Sequence, residues 1–172
     1  GASSVTFTES TTLNGTIASD NITIANNIMV GPSANLQGSN INVQSGNTLT
    51  VNGGSVNGNR VEFDPGSTLN LINNPNFTYN TLKGGAVDGN GTQLPSYINT
   101  NGTTFVNPAG STIRGVWRFS HGFLNLGTTE FGASPAIQVF AGPYTAGGTE
   151  SLELGGTSPG GPVGYDQLQI GN

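Results

Sequence analysis

Residues 40–71 read NINVQSGNTLTVNGGSVNGNRVEFDPGSTLNL, and this stretch contains the same unit written twice. Ile41 and Leu49 recur 20 residues later as Val61 and Leu69, and apolar and polar residues alternate around all four. Alternation with period two predicts a strand with one buried face, and the Gly, Pro and Asn residues between the runs predict corners. A repeat near 20 residues with two or three short strands predicts one coil of a β-solenoid.

The whole chain extends this pattern with decreasing regularity. We predict one all-β domain over residues 1–172, folded as a parallel β-solenoid with coils of about 20 residues. Regular coils are expected at 1–72, an irregular, loop-rich segment at 73–110, and aromatic-rich strands at 111–172, including strands at 136–140 and 152–154. No apolar stripe with helical spacing persists for a helix length, so almost no helix is expected. The rival fold is an antiparallel β-sandwich, which five Asn-Gly steps favour as hairpin turns.

The interior of the predicted solenoid is expected to contain stacked apolar rows. The stacked residues are predicted to be Ile22, Ile41 and Val61 in one row, and Leu36, Leu49 and Leu69 in another.

The composition limits the classes of partner. Only 8% of the residues are charged, against roughly 25% in ordinary soluble domains. Four Lys and Arg with no basic run leave nothing to neutralise phosphates, so nucleic acid is not an expected partner. The absence of cysteine excludes disulfides, thiolate metal sites and cysteine nucleophiles. No apolar run approaches the length of a membrane span, so membrane insertion is not expected.

The C-terminal region carries one resemblance. The segment Gly155-Gly156-Thr157-Ser158-Pro159-Gly160, followed by Gly164-Tyr165-Asp166-Gln167-Leu168-Gln169-Ile170, resembles a pattern of bacterial surface β-helix proteins of the autotransporter-passenger and adhesin kinds. The resemblance implies a right-handed parallel β-helix on a secreted or cell-surface protein. The chain begins at Gly1 without a Met, and we expect a targeting peptide to have been removed.

Catalysis is weakly supported by the residue types present. The only histidine, His121, lies in an aromatic segment, and no nucleophile elbow of the Gly-x-Ser-x-Gly type occurs. No Asp-rich calcium loop is present, and Asp88 near Asn90 supplies too few ligands. Glycoside hydrolysis needs two carboxylates at a set separation, and no two are paired in sequence. We therefore expect a non-enzymatic protein without a cofactor or a bound metal.

Two binding functions remain open as alternatives. The first is glycan binding, possible at a stacking surface whose candidate residues are Trp117, Phe119, His121, Phe123 and Tyr144; a glycan-cleaving β-helix belongs to the same alternative. The competing interpretation is that these aromatic side chains fill or cap the solenoid. The second is ice binding by outward rows of Thr and Asn, namely Thr6/Thr8, Asn21/Thr23, Asn40/Asn42 and Thr48/Thr50. Such rows also stabilise ordinary solenoids.

Assembly is the function that we expect first. Both ends of a solenoid are open sheet edges, and neither terminus of this chain carries an amphipathic cap or a cluster of charges. We predict an extracellular, non-catalytic structural or adhesive protein whose copies associate into filaments or a surface matrix. Its partner would be another copy of itself. The candidate edge residues are Val5, Thr6, Phe7 and Thr8 at one end, and Leu168, Gln169 and Ile170 at the other.

Overall fold

The computed structural model describes residues 1–87, 92–130, 137–151 and 167–171, and the regular structure in these ranges is all β. In chain order the strands are β1 (Ser4–Phe7), β2 (Thr11–Leu13), β3 (Thr16–Ile24), β4 (Ile28–Val30), β5 (Asn35–Val43), β6 (Thr48–Asn52), β7 (Ser55–Phe63), β8 (Thr68–Ile72), β9 (Asn76–Lys83), β10 (Ala86–Val87), β11 (Gln93–Leu94), β12 (Ser96–Asn99), β13 (Phe105–Asn107), β14 (Thr112–Arg114), β15 (Trp117–Phe119), β16 (Phe123–Asn125), β17 (Thr128–Glu130), β18 (Ile137–Phe140), β19 (Tyr144–Ala146), β20 (Thr149–Ser151) and β21 (Gln167–Ile170).

These strands stack into a parallel β-solenoid of about 7 turns. Sheet A has the order β1-β3-β5-β7-β9-β14-β17-β20, and sheet B has the order β2-β4-β6-β8-β12-β15-β18-β21. Sheet C contains β13, β16 and β19 and forms a third side in the C-terminal half. Each strand of these three sheets pairs in parallel with its counterpart from a neighbouring coil, which confirms the solenoid predicted from the 20-residue repeat.

The alternative β-sandwich is wrong for the described residues. The antiparallel pairing found there is confined to the β10–β11 pair and one bridge between Gly85 and Val116. The Asn57-Gly58 step lies inside the continuous strand β7 instead of at a hairpin turn. Asn-Gly steps therefore mark corners of a coil here, because a glycine serves an inward bend as well as a hairpin.

Each long strand of sheet A turns a corner near its middle. In β5 and β7 the buried positions lie on both sides of a glycine, Gly38 or Gly58. A Cβ at Gly58 would lie 2.4 Å from Val61 Cγ2, so the backbone approaches the core too closely for any side chain. The inward bend thus lets one strand form two faces of the coil.

The interior rows follow the ladder registers. Ile22, Ile41 and Val61 are partners in successive coils and are buried, as predicted. The second predicted row is only partly correct. Leu49 pairs with Leu69 in sheet B, but Leu36 pairs with Val56 in sheet A. The 13-residue step from Leu36 to Leu49 is shorter than a coil, and it carries the chain from one face to the next.

The turns between faces recur from coil to coil. Gly46 and Gly66 have φ angles of 75° and 81°, and each is the third residue of a turn closed by a main-chain hydrogen bond. The bonds are Asn47 N–H to the Gln44 carbonyl at 3.1 Å, and Ser67 N–H to the Asp64 carbonyl at 3.0 Å. A positive φ at this position favours glycine, so the predicted corners at 45–46 and 65–66 have a direct conformational cause.

The core changes from aliphatic to aromatic along the solenoid axis. In sheet B the buried row continues as Ile98, Phe119 and Phe140, and the rings of Phe119 and Phe140 lie 4.8 Å apart. Trp117 packs edge-on against Phe63 at 5.7 Å and covers Gly84, where a Cβ would lie 2.2 Å from the indole. The large rings fill the interior of the coils that follow β10 and β11.

Some predicted features lie outside the described residues. They are the strand at 152–154, Asp88 and Asn90, and the part of the surface-protein pattern from Gly155 to Asp166. The last residues of that pattern form β21, which pairs with β18.

Replacing Leu49 with Ala should lower the free energy of unfolding by about 2–5 kcal/mol, because the side chain is fully buried and its removal leaves a cavity. Chemical denaturation followed by circular dichroism measures the change. The matched control is Leu94→Ala at a side chain that is 39% exposed, where we expect a much smaller loss. Equal losses in the two variants would contradict the interior row.

Candidate functional site

The aromatic side chains predicted as a glycan-stacking surface lie mostly in the core. Trp117, Phe119 and Phe123 are 0%, 4% and 1% exposed. The chain turns between β15 and β16, so these residues do not share one face of a single strand, as alternation had suggested. Both strands direct their rings inward, and the Phe119 and Phe123 rings lie 4.7 Å apart. The three rings therefore pack the interior instead of presenting a surface to sugars.

The other two members of the predicted surface are partly accessible. His121 lies in the corner between β15 and β16, where its Nδ1 is 2.7 Å from Ser120 Oγ and 3.3 Å from the Gly102 main-chain nitrogen. Tyr144 packs against Phe123 and Phe140 with ring separations of 5.6 and 4.8 Å, and its hydroxyl donates to Glu150. His121 therefore lies at a corner of the coil, whereas the Tyr144 ring packs against the aromatic core.

A chain of polar side chains runs through the interior beside the aromatic core. Tyr79 donates from its hydroxyl to Asn107 Oδ1 at 3.1 Å, and Asn107 Nδ2 donates to Asn125 Oδ1 at 2.7 Å. Both asparagines are 0% exposed. Each also donates to a main-chain carbonyl of the next coil, Asn107 to Thr128 at 3.0 Å and Asn125 to Thr149 at 3.1 Å. The two amides thus tie sheet C to sheet A.

Glu150 is the end of this polar chain. Its carboxylate accepts hydrogen bonds from Asn125 Nδ2 at 2.7 Å, from the Thr129 hydroxyl and from the Tyr144 hydroxyl. A partly buried carboxylate with three donors is well satisfied. The side chains of Tyr79, Asn107, Asn125 and Glu150 all have hydrogen-bond partners. We therefore interpret this series of side chains as a structural feature that satisfies polar groups inside the solenoid.

Burial shifts the pKa values of the two tyrosines in the interior polar series, Tyr79 and Tyr144. Burial of the phenol raises the pKa of Tyr79 far above its ordinary value. For Tyr144, burial is again the main cause of a raised pKa, and the hydrogen bond to the Glu150 carboxylate adds to it. Both hydroxyls therefore remain donors at any physiological pH, which keeps the polar chain intact.

The predicted Thr and Asn positions of the ice-binding alternative do not form one ladder. Thr6, Thr23 and Asn42 are partners in successive coils of sheet A, and the same row continues with Glu62. Thr48 and Thr50 lie in sheet B on another face, and Thr8 follows the end of β1. The row of Thr50 is uncharged over five coils, since it runs through Thr12, Met29, Thr50, Asn70 and Asn99. The predicted positions are therefore divided between two faces.

Amide side chains stack between coils at many surface positions. Asn40 donates to Asn21 at 3.0 Å, and Asn80 donates to Asn59 at 2.6 Å. Further rungs link residues one coil apart, namely Asn57 to Asn35, Thr78 to Asn57, Asn73 to Asn52 and Asn76 to Ser55. These hydrogen bonds between side chains stabilise the stacking of coils, which is the role that Thr and Asn rows have in ordinary solenoids.

Charged residues cluster in one outward row of sheet A. Glu62, Lys83, Arg114 and Glu130 are successive partners along the ladder. Lys83 Nζ lies 3.3 Å from Glu62 Oε1, and Arg114 Nε lies 2.7 Å from Glu130 Oε2, while Arg60 also contacts Glu62. Burial opposes ionisation of Glu62, but the hydrogen bonds and charges of Arg60 and Lys83 outweigh it, so its pKa lies below the ordinary value. The acidic and basic side chains of this row therefore form ion pairs with one another.

The N-terminal edge contains the first group of predicted assembly residues. Strand β1 is the first strand of sheet A and β2 is the first of sheet B, so each has a partner on one side only. Val5 and Phe7 point toward the core but remain half-buried, whereas their partners Ile22 and Ile24 are buried. Thr6 is exposed, and the Thr8 carbonyl accepts a bond from Asn26 Nδ2 at 3.3 Å.

The C-terminal edge contains the second group. Strand β21 is the last strand of sheet B, and Leu168, Gln169 and Ile170 pair with Gln138, Val139 and Phe140. Leu168 packs against the core cluster, and Ile170 is 51% exposed. The structure therefore places the first predicted group at the start of sheet A, with Thr8 just after β1, and the second at the end of sheet B.

The interior polar chain was not found from sequence. The one signal was a repeated Phe-x-Asn, at 105–107 and 123–125, whose asparagines occupy inward positions. An inward asparagine conflicts with the rule that alternation places polar residues outside, so the pattern pointed to surface positions instead.

Comparison of the chain with protein-family models, with curated proteins and with solved structures finds no match in any of the three. Among the described residues, no three His, Cys, Asp or Glu side chains gather where they could hold a metal ion. In the same part of the chain, no helix has the length and apolar character needed to cross a membrane.

Asn125→Ala should destabilise the fold by about 1–3 kcal/mol, because the amide N–H of Asn107 loses its acceptor on Asn125 and the Glu150 carboxylate loses a donor. The midpoint of urea denaturation measures the effect. The control Asn80→Ala removes an exposed amide rung and should change stability by a few tenths of that amount. Similar midpoints for the two variants would show that the interior amides are dispensable.

Tyr79 should make stability depend on pH in the alkaline range. Burial raises the pKa of Tyr79 in the folded state, whereas the same phenol in the unfolded chain ionises at a pH of about 10. The contribution of the neutral phenol to the free energy of unfolding is therefore complete below that pH and is lost as the pH rises further. Above this pH, the free energy of unfolding of the wild type should fall more steeply than that of Tyr79→Phe, by up to about 1.4 kcal/mol per pH unit.

Urea titrations at a series of alkaline pH values test this dependence. The control Leu94→Ala changes an apolar side chain that is 39% exposed and cannot ionise, so its slope should match that of the wild type. A Tyr79→Phe variant with the wild-type slope would contradict the assignment.

Proposed function

We propose that this chain is a non-catalytic structural or adhesive module of the cell exterior, whose copies associate end to end through the terminal strands of the solenoid. The observation that carries the proposal is the N-terminal edge, where both continuous sheets begin with a strand that has one partner. Secretion and a surface location are supported by the resemblance of the C-terminal segment and by the low charge content.

Main-chain groups are available at this edge. The carbonyls of Ser3 and Phe7 accept bonds from Asn21 and Ala25 of the next coil, at 3.0 and 2.9 Å. Parallel ladders use alternate residues of a strand for each neighbour, so the N–H and C=O groups of Ser4 and Thr6 point to the open side. An added strand would satisfy them, which is the physical basis of β-augmentation.

Apolar surface at the same edge adds a driving force. Val5, Phe7, Leu13 and Ile17 all face the core side of the first coil and are only half-buried, while the equivalent residues of the second coil are buried. Covering these side chains would contribute roughly 25 cal/mol for each Å² of apolar surface removed from water.

The two ends are complementary in architecture. Sheets A and B end in β20 and β21 among the described strands and begin with β1 and β2. A second copy placed head to tail would continue both sheets in the same direction. Such a contact is heterologous, and it generates open filaments when the rotation between copies does not close a ring.

The other functions considered from sequence have less support. A stacking surface of Trp117, Phe119 and Phe123 would need rings that are instead buried. An ice-binding ladder would need the predicted Thr and Asn positions on one face, but they are divided between sheets A and B, and the row of Thr6 and Thr23 ends at Glu62.

Thr6→Pro should reduce self-association, because proline removes the N–H that faces the open edge and spares the bonds to β3. Light scattering across protein concentration and negative-stain electron microscopy measure the effect. We expect fibres of uniform width for the wild type and mainly monomers for the variant.

The matched control is Thr6→Val, which keeps the N–H and a β-branched side chain at the same position. It should assemble like the wild type. A wild-type chain that stays monomeric at high concentration would overturn the proposal, as would assembly of Thr6→Pro at the wild-type level.

A further inference from the structure

A polar groove runs along the solenoid where the long strands of sheet A turn their corner. Its volume is about 540 Å³, and it spans β3, β5 and β7. One wall is the ladder row Ala18, Gln37 and Asn57, which are partners in successive coils. The opposite wall contains the equivalent corner residues of the three coils, Asp20, Ser39 and Asn59.

The groove has a specific structural cause. Its floor is formed by Ser19 and Gly38, which occupy the inward position of the corner. A Cβ at Gly38 would lie only 3.1 Å from Ile22 Cδ1 and 3.2 Å from Ile41 Cγ1. Because the backbone approaches the core here, the outer surface becomes concave between the two walls.

Some of the lining groups already have partners that fix the shape of the groove. Asn57 donates to Asn35 at 3.0 Å, and Asn59 accepts from Asn80 at 2.6 Å. Asp20 closes the N-terminal end, since its Oδ2 accepts from the Ser3 main-chain N–H at 2.8 Å and from the Ser3 hydroxyl at 3.1 Å. These bonds preorganise the walls.

The middle coil presents unused hydrogen-bonding groups. The side chains of Gln37 and Ser39 are exposed on opposite walls, and neither forms a hydrogen bond within the described part of the chain. An amide both donates and accepts, and so does a hydroxyl. Asn59 keeps its amide N–H groups for a ligand while its oxygen is held by Asn80.

We propose that this groove binds a linear, uncharged glycan lying parallel to the solenoid axis. Sugar hydroxyls are donors and acceptors at once, and they match walls of amides and hydroxyls better than a charged or an apolar ligand does. The lining holds no cation to attract an anionic polymer, and Ala18 is its only apolar side chain. Coils repeat at the strand spacing of about 4.8 Å, so the amides and hydroxyls of successive coils can meet successive parts of a linear polymer.

The site lies on the side of the solenoid, so it does not depend on end-to-end association. Its lining contains no aromatic ring on which a sugar could stack. Binding at one groove should consequently be weak. The essential contacts are assigned to Gln37, Ser39 and Asn59.

Affinity electrophoresis tests the proposal with gels that contain purified dextran, galactomannan, hydroxyethyl cellulose or, as the anionic comparison, polygalacturonate. The wild type should be retarded by at least one neutral polymer and not by polygalacturonate. The double variant Gln37→Ala/Ser39→Ala should lower the apparent affinity by about tenfold, from two lost hydrogen bonds.

The matched control is Gln44→Ala/Ser33→Ala, which makes the same two changes at exposed positions outside the groove. It should bind like the wild type, and thermal melts should show that both double variants remain folded. Three results would overturn the proposal: no retardation by any neutral polymer, retardation by polygalacturonate alone, or equal loss in the two double variants. In the Thr6→Pro background the Gln37→Ala/Ser39→Ala change should still lower the apparent affinity, so failure of assembly and failure of glycan binding are distinguishable.

Discussion

Every other feature of this molecule depends on one constraint: each strand must hydrogen-bond to its counterpart one coil away in register. The parallel ladders place Ile22, Ile41 and Val61 directly above one another, so inward side chains pack against near copies of themselves. The spacing between coils is set by main-chain bonds at about 4.8 Å and cannot adapt to a misfit. A change of side-chain size at one inward position must therefore be compensated within the same coil, as Gly58 compensates for the close approach of Val61.

The same register explains why polar side chains are so useful to this chain. An amide at one coil meets an amide or hydroxyl at the next, and the outer rungs such as Asn40 to Asn21 follow from that geometry. Inside, Asn107 and Asn125 use it to cross between sheets, and Glu150 ends the series where the next sheet C partner is Ala146. In a stacked fold, amide side chains can therefore satisfy one another's hydrogen bonds from coil to coil, so few charged residues are needed.

Much of the fold was predictable, because alternation and turn residues act locally. The 20-residue repeat around Ile41 and Leu49 predicted the coils and the corners correctly. The error over Leu36 arose because Leu36 and Leu49 both follow a short run of small and polar residues in the sequence. Only the register of the strands shows that they lie on different faces. The burial of Trp117 was equally undecidable from alternation, since a row of aromatic residues has the same period whether it faces the core or solvent. The polar groove depends on the inward bend at Gly38, a tertiary feature.

A solenoid also repeats its surface, and this links the two proposed activities. In the proposed assembly the N-terminal strand edge pairs with the C-terminal edge of another copy, and in the proposed glycan site the groove lies along the flank. The Thr6 main-chain N–H lies at the end of the stack, whereas Gln37 lies on its side. On these two proposals, one protein would extend along the axis by adding copies and would hold a polymer along its flank. In a filament of such copies each added chain would bring another groove along the same flank, so weak contacts to one long polymer would add up. Assembly would in this way raise the affinity of a site that lacks any aromatic platform.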